Sequence, residues 1–97
     1  MAMYNPPHPG EFIAEVYLEP NHISIREFAG ALGVSPSTLS RLINGSTSVS
    51  PVMALRLSKG LGRSPESWLN MQSNYDLWHA RRTSKLGKIA KLRLSNA

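Results

Sequence analysis

Apolar residues recur along this chain at steps of three and four, the period of helices rather than strands. Phe12, Ile13, Val16 and Tyr17 share one face of a predicted first helix from about Gly10 to Glu19, which Pro20 and Asn21 close. Ser24, with Glu27 three residues on, has capping-box spacing and opens a second helix whose stripe is Phe28, Ala29 and Leu32. Leu39, Leu42 and Ile43 mark a third, with Ser35 as cap, Pro36 in the first turn and Asn44-Gly45 at its end. The Ser-Pro start returns at Ser50-Pro51 and Ser64-Pro65. It predicts a fourth helix carrying Met53, Leu57 and Leu61, and a fifth carrying Trp68, Met71, Tyr75 and Trp78. No strand pattern or internal repeat interrupts this, so the expected fold is all-α with five helices.

Ahead of the first helix, "NPPHPG" reads as a stiff lead-in, because proline fixes φ and removes donors. A proline-recognition ligand is the weaker reading. The segment Lys85 to Leu94 mixes basic and aliphatic residues and fits helix, short strand or disorder.

The third helix is unlike the others on its polar side. Ser37, Ser40, Arg41 and Asn44 cluster there and no acid accompanies them. Only "GVS" joins it to the second helix. A glycine able to take positive φ, then an apolar plug and a cap, is the turn of a helix-turn-helix. Ala29 stands where the two helices would cross, and Val34 would fill the turn. In that motif the second helix enters the DNA major groove. Ser35, Ser37, Thr38 and Ser40 can then exchange hydrogen bonds with phosphates and bases, and Arg41 can pair with guanine O6 and N7. Asn44 and Ser46 can offer donors to a phosphate. A plain αα-hairpin with a glycine turn is the structural alternative.

Charge sharpens the picture more than length does. The 97 residues suit one domain, and without cysteine there is neither a disulfide nor a thiolate metal site. No run approaches a membrane span, and the N-terminus lacks the form of a secretory signal, so a cytoplasmic protein without membrane contact is expected. The net charge of +5 is unevenly spread. Residues 1 to 76 carry five Lys/Arg against six Asp/Glu, whereas residues 77 to 97 carry Arg81, Arg82, Lys85, Lys88, Lys91 and Arg93 with no acid. Such asymmetry points to a polyanion, with a merely solubilising tail as the alternative.

An enzyme is not expected. His8, His22 and His79 match no ligand spacing and read as surface or turn residues, so no metal or cofactor is predicted. Glu11, Glu15 and Glu19 fall at i, i+4 and i+8 as a polar helix face. No nucleophile-base pair or glycine-rich phosphate loop is present.

Residues 25 to 77, "IREFAGALGVSPSTLSRLINGSTSVSPVMALRLSKGLGRSPESWLNMQSNYDL", resemble the lambda-repressor-like helix-turn-helix proteins. With the "HPGEF" lead-in at 8–12, the chain most resembles the HigA/VapI-type antitoxins. The resemblance covers roughly residues 8 to 80. It implies a five-helix lambda-repressor-like DNA-binding domain, acting as a homodimer on an inverted-repeat operator in double-stranded DNA. It also implies a toxin partner, a RelE-like ribonuclease that cleaves mRNA, and no catalytic role for the chain itself. By position, Ser35, Ser37, Thr38 and Arg41 would face the groove, and Ser24, Arg26, Asn44 and Ser46 the phosphates.

Residues 1–82 are thus expected to form the DNA-binding and dimerisation domain and 83–97 a basic tail outside the shared pattern. Tyr75 and Trp78 are the expected dimer contacts, because aromatics dominate interfaces, while Trp68 is expected in the monomer core. A stand-alone phage-like repressor without a toxin is the main alternative. A protein-binding module with a vestigial helix-turn-helix is a third reading.

Overall fold

Serine hydroxyls open four of the helices in the same way. The computed structural model describes residues 5–95, and in it α1 (Pro9–Ile13) runs on as a π-helical stretch (Ala14–Leu18). Then follow α2 (Ile25–Leu32), α3 (Pro36–Ile43), α4 (Pro51–Leu61) and α5 (Pro65–Thr83). Ser24, Ser35, Ser50 and Ser64 each accept a hydrogen bond from the backbone N–H three residues on, at 3.0, 3.1, 3.0 and 3.0 Å. Each such cap stabilises its helix by about 1 kcal/mol. Residues 84–95 contain neither helix nor strand.

The helices close around Ile13, Ala29, Leu39, Leu42, Ala54, Leu57 and Trp68, all buried. Trp68 belongs to the core, as expected, and its indole N–H donates to the Gly62 carbonyl at 3.2 Å. The Arg63 guanidinium sits 5.2 Å from the Phe12 ring centroid and 5.6 Å from that of Trp68, a cation–π cover over the end of the core. Among the described residues no helix is long and apolar enough to cross a membrane.

The first helix departs from expectation. Instead of one regular helix from Gly10 to Glu19, the Glu19 N–H bonds the Ala14 carbonyl five residues back, at 2.9 Å. The wider π turn accommodates an extra residue and rotates the faces that follow. Val16, expected inward, is therefore 46% exposed, and Leu18 takes the core position. His22 then ends the segment at φ 55°, a left-handed turn, with the Ile23 N–H on the Leu18 carbonyl at 2.9 Å.

The lead-in packs where α1 meets the end of α3. A Cβ on Gly10 would overlap the Leu42 carbonyl oxygen and lie 2.8 Å from Ile43 Cα, so only glycine admits this approach. Both neighbours are backbone and cannot swing aside. Gly10→Ala is expected to cost at least about 2 kcal/mol, read as a lowered urea midpoint. Gly30→Ala meets open space inside α2 and should instead raise stability by about 0.5–1 kcal/mol.

Candidate nucleic-acid interface

The turn between α2 and α3 is set by Gly33, at φ 74°. The Val34 N–H bonds the Ala29 carbonyl at 3.0 Å and the Gly33 N–H bonds that of Gly30 at 3.3 Å, a Schellman closure of α2. Ala29 is fully buried at the crossing and Val34 packs half-buried against the core, as the sequence predicts. From α4, Arg56 reaches across and donates through Nη1 to the Leu32 carbonyl at 2.7 Å. The free carbonyls at the end of α2 are thus held by a side chain from another helix.

Leu39 and Leu42 bury the inner face of α3, which leaves Ser37, Arg41 and Asn44 exposed and Thr38 and Ser40 half-buried. Arg41 Nη1 donates to Ser37 Oγ at 3.0 Å, one turn earlier on the outer face. The arginine is therefore held outward over the helix rather than folded onto the core. Ser35 accepts from the Thr38 N–H and donates to Thr38 Oγ1 at 2.9 Å, so both hydroxyls help fix the start of α3. Gly45, at φ 80°, closes α3 as Gly33 closes α2, with the Ser46 N–H on the Arg41 carbonyl at 2.9 Å. Asn44 and Ser46 are exposed beside this closure. Ser24 and Arg26 are exposed at the start of α2.

The structure thus gathers Ser35, Ser37, Thr38, Arg41, Asn44 and Ser46 on α3 and its closing turn, while Ser24 and Arg26 stand apart on α2. The N-terminal amides of both helices carry the positive end of a helix dipole, favourable to phosphate. Among the described residues no group of three or more His, Asp or Glu side chains is placed to hold a metal ion.

Two supporting residues escape a reading of the sequence, and both act across the fold. His8, expected at a surface or turn, is buried. Its Nδ1 accepts from the Gly10 N–H at 2.9 Å, capping α1 ahead of Pro9, and its ring lies beside Gly45. Position alone carries a signal, since His8-Pro9 has the same cap-then-proline arrangement as the Ser-Pro starts. Gln72, buried on α5, accepts from the Val49 N–H at 2.8 Å and donates to Asp76 at 3.0 Å. Together they lay the 44–49 loop along α5. Tyr75 is half-buried, edge-on to His8 at 4.9 Å and 4.4 Å from the ring of His79. Trp78 is half-buried under the Arg82 guanidinium, 4.6 Å from its ring centroid.

A model of the helix-turn-helix family matches residues 15–68, from the π turn through α2, α3 and α4 to Trp68 on α5. The chain belongs to the helix-turn-helix family. Among its relatives, a regulator of Escherichia coli K12 described as an uncharacterised helix-turn-helix transcriptional regulator, YddM, is 42% identical, over 95% of this chain and 97% of its own. Antitoxin HigA-1 of Vibrio cholerae is 44% identical, over 74% of this chain and 68% of its own. The antitoxin GraA, solved in complex with its operator, superposes with a TM-score of 0.85 at 35% identity, covering 97% of both chains. Within the helix-turn-helix family the chain stands with the HigA-type antitoxins, as its lead-in suggests.

Burial pushes the His8 imidazole below its ordinary pKa of 6.5, against smaller opposing effects from the Thr47 backbone bond, Asp76 and Glu11. The unfolded chain therefore binds this proton first on acidification. The His8 contribution is complete above the unfolded pKa and is lost as pH falls through the lower folded value. His8→Asn keeps an acceptor for the cap and should flatten the stability profile between about pH 7 and pH 5, followed by urea titration at each pH.

Proposed function

We propose that this chain is a homodimeric operator-binding antitoxin that represses its own operon and neutralises a toxin. The observation that carries DNA binding is the outer face of α3, where Arg41 is held outward by Ser37 on a helix free of acids. Structural relatives that bind operators support the reading.

α3 lies in the major groove, and Arg41 leaves Ser37 to pair with a guanine, while Ser37 and Thr38 meet neighbouring base edges or phosphates. Ser35 presents the start of the helix. Ser24, Arg26, Asn44 and Ser46 meet phosphates on either side, which fixes the register without reading sequence. Two copies joined through α5 place their recognition helices ~34–36 Å apart, the spacing of successive major grooves. Trp78, with half-exposed Leu77 beside it, forms the centre of that contact. Tyr75 borders it, because His8 already covers part of its ring.

The toxin is a RelE-like ribonuclease in this reading, which rests on the kinship with HigA-type antitoxins. The match to a regulator over almost the full length of both chains favours a second reading, a repressor without a toxin. Expression of the neighbouring open reading frame separates the two. Growth arrest rescued by co-expression of this chain supports the antitoxin, and toxicity without rescue, or none at all, supports the repressor.

Arg41→Ala should remove about 1–3 kcal/mol of base discrimination at one operator position in each half-site. Fluorescence anisotropy with the operator and its single-base variants would show weaker and less selective binding. Unchanged affinity and preference would leave a protein-binding module with a vestigial motif.

A further inference from the structure

We propose that residues 81–95 form a second DNA-binding element, which grips phosphates beside the operator without reading sequence. The inference rests on the operator-binding reading above and concerns a surface which that reading leaves unused. All of residues 81–95 are exposed, and they carry Arg81, Arg82, Lys85, Lys88, Lys91 and Arg93 with no acid.

The need for such an element comes from the folded domain. Residues 1 to 76 hold five Lys/Arg against six Asp/Glu, a poor balance for approaching a polyanion. One of those five cations, Arg56, is engaged on the Leu32 carbonyl, and Arg63 is stacked over Phe12 and Trp68 as Arg82 is over Trp78, which leaves the tail lysines and Arg93 among the unstacked cations. The helix-turn-helix itself offers only Arg26 and Arg41. Affinity for duplex DNA grows with the number of phosphates neutralised, and the tail supplies the missing cations.

The tail is also tethered in the right place. Gln72 accepts from the Val49 N–H and Tyr75 stands edge-on to His8, so α5 passes directly beside the loop that follows the recognition helix. Arg81 and Arg82 lie less than two turns further along, roughly 10 Å at 1.5 Å per residue. The non-helical residues beyond them span up to roughly 40 Å when extended. That reach covers the phosphates next to Asn44 and Ser46 whatever the heading of the last helical turn. Lysines three residues apart fall roughly 10 Å apart in an extended chain, and a segment without helix or strand can adapt that spacing to the backbone.

Leu86, Ile89, Leu92 and Leu94, each more than half exposed, alternate with the cations and define the rival occupant, an apolar protein surface. Two full-length variants separate the occupants. In one, Lys85→Gln, Lys88→Gln, Lys91→Gln and Arg93→Gln are combined; in the other, Leu86, Ile89, Leu92 and Leu94 are all changed to Ser. Binding to the operator and to an unrelated duplex is titrated from low to moderate salt, with circular dichroism to confirm that the helices are intact.

The glutamine variant should lower the slope of log K against log salt by about 0.9 for each phosphate it no longer neutralises, up to about 3.6 per chain, and equally on both duplexes. The ratio of operator to unrelated affinity should hold, and the serine variant should keep the wild-type slope. An unchanged slope in the glutamine variant overturns the proposal. So does a serine variant that weakens binding as much as the glutamine one, which would assign the tail to a protein contact. If the wild type shows no preference for the operator, the operator reading fails, yet the slope on unrelated duplex still decides the role of the tail.

Discussion

An eight-residue helix is too short to persist alone in water, and the rest of the molecule answers that constraint for α3. Its inner face is sealed by Leu39 and Leu42, and its start is fixed by the cap from Ser35. The turn before it is braced from α4 by Arg56. At its far end Gly10 lets α1 press directly on the Leu42 and Ile43 backbone. Gln72 holds the following loop against α5, with the His8 ring packed between Tyr75 and Gly45. Every helix therefore contributes to the position of one short segment. A site built this way can present an arginine at a defined angle, which side chains on a loop cannot do as well.

The same arrangement explains which parts are legible in the sequence. Caps and glycine closures are local chemistry, written within four or five residues, so Ser24, Ser35, Gly33 and Gly45 declare the helix boundaries and the turn. The polar face of α3 is equally plain, because a helix surface is a direct projection of its sequence. What escapes are residues whose work depends on distant partners. His8 signals a cap through its place before Pro9, but its burial against Tyr75 and the 44–49 loop is not written there. Gln72 reads as an ordinary polar residue until Val49 presents an amide to it. The π turn escapes for another reason. One extra residue within a turn shifts the period only slightly, and Val16 and Leu18 are both apolar, so the pattern fits either register. Tyr75 and Trp78 stand out as more than a small core needs, but aromatic content alone does not say whether a ring meets a histidine of its own chain or a partner.

Specificity and affinity occupy different physical regimes in this chain. Discrimination between bases needs a side chain confined to a few ångströms, and the packed inner face of α3 fixes the helix from which Arg41 projects. Attraction to a phosphate backbone needs charge and little else, since counterion release is insensitive to exact geometry. In the proposed mode of binding, a nearly neutral domain followed by a basic, non-helical segment keeps the two apart. The domain can pack without crowding like charges around its core, and the tail carries the charge without disturbing the fold.

The repeated serine caps have a further consequence, for how quickly the structure is reached. Each of the four cap bonds closes over only three residues, and three of those helices add a proline already set to the helical φ. Nucleation is the slow and costly step of helix formation, and here its instructions are distributed along the chain rather than awaiting long-range encounters. Chains dominated by local contacts fold in microseconds to milliseconds. The caps and prolines of this chain add contacts of that local kind, so the start of each helix is marked within a few residues even where its persistence needs the core.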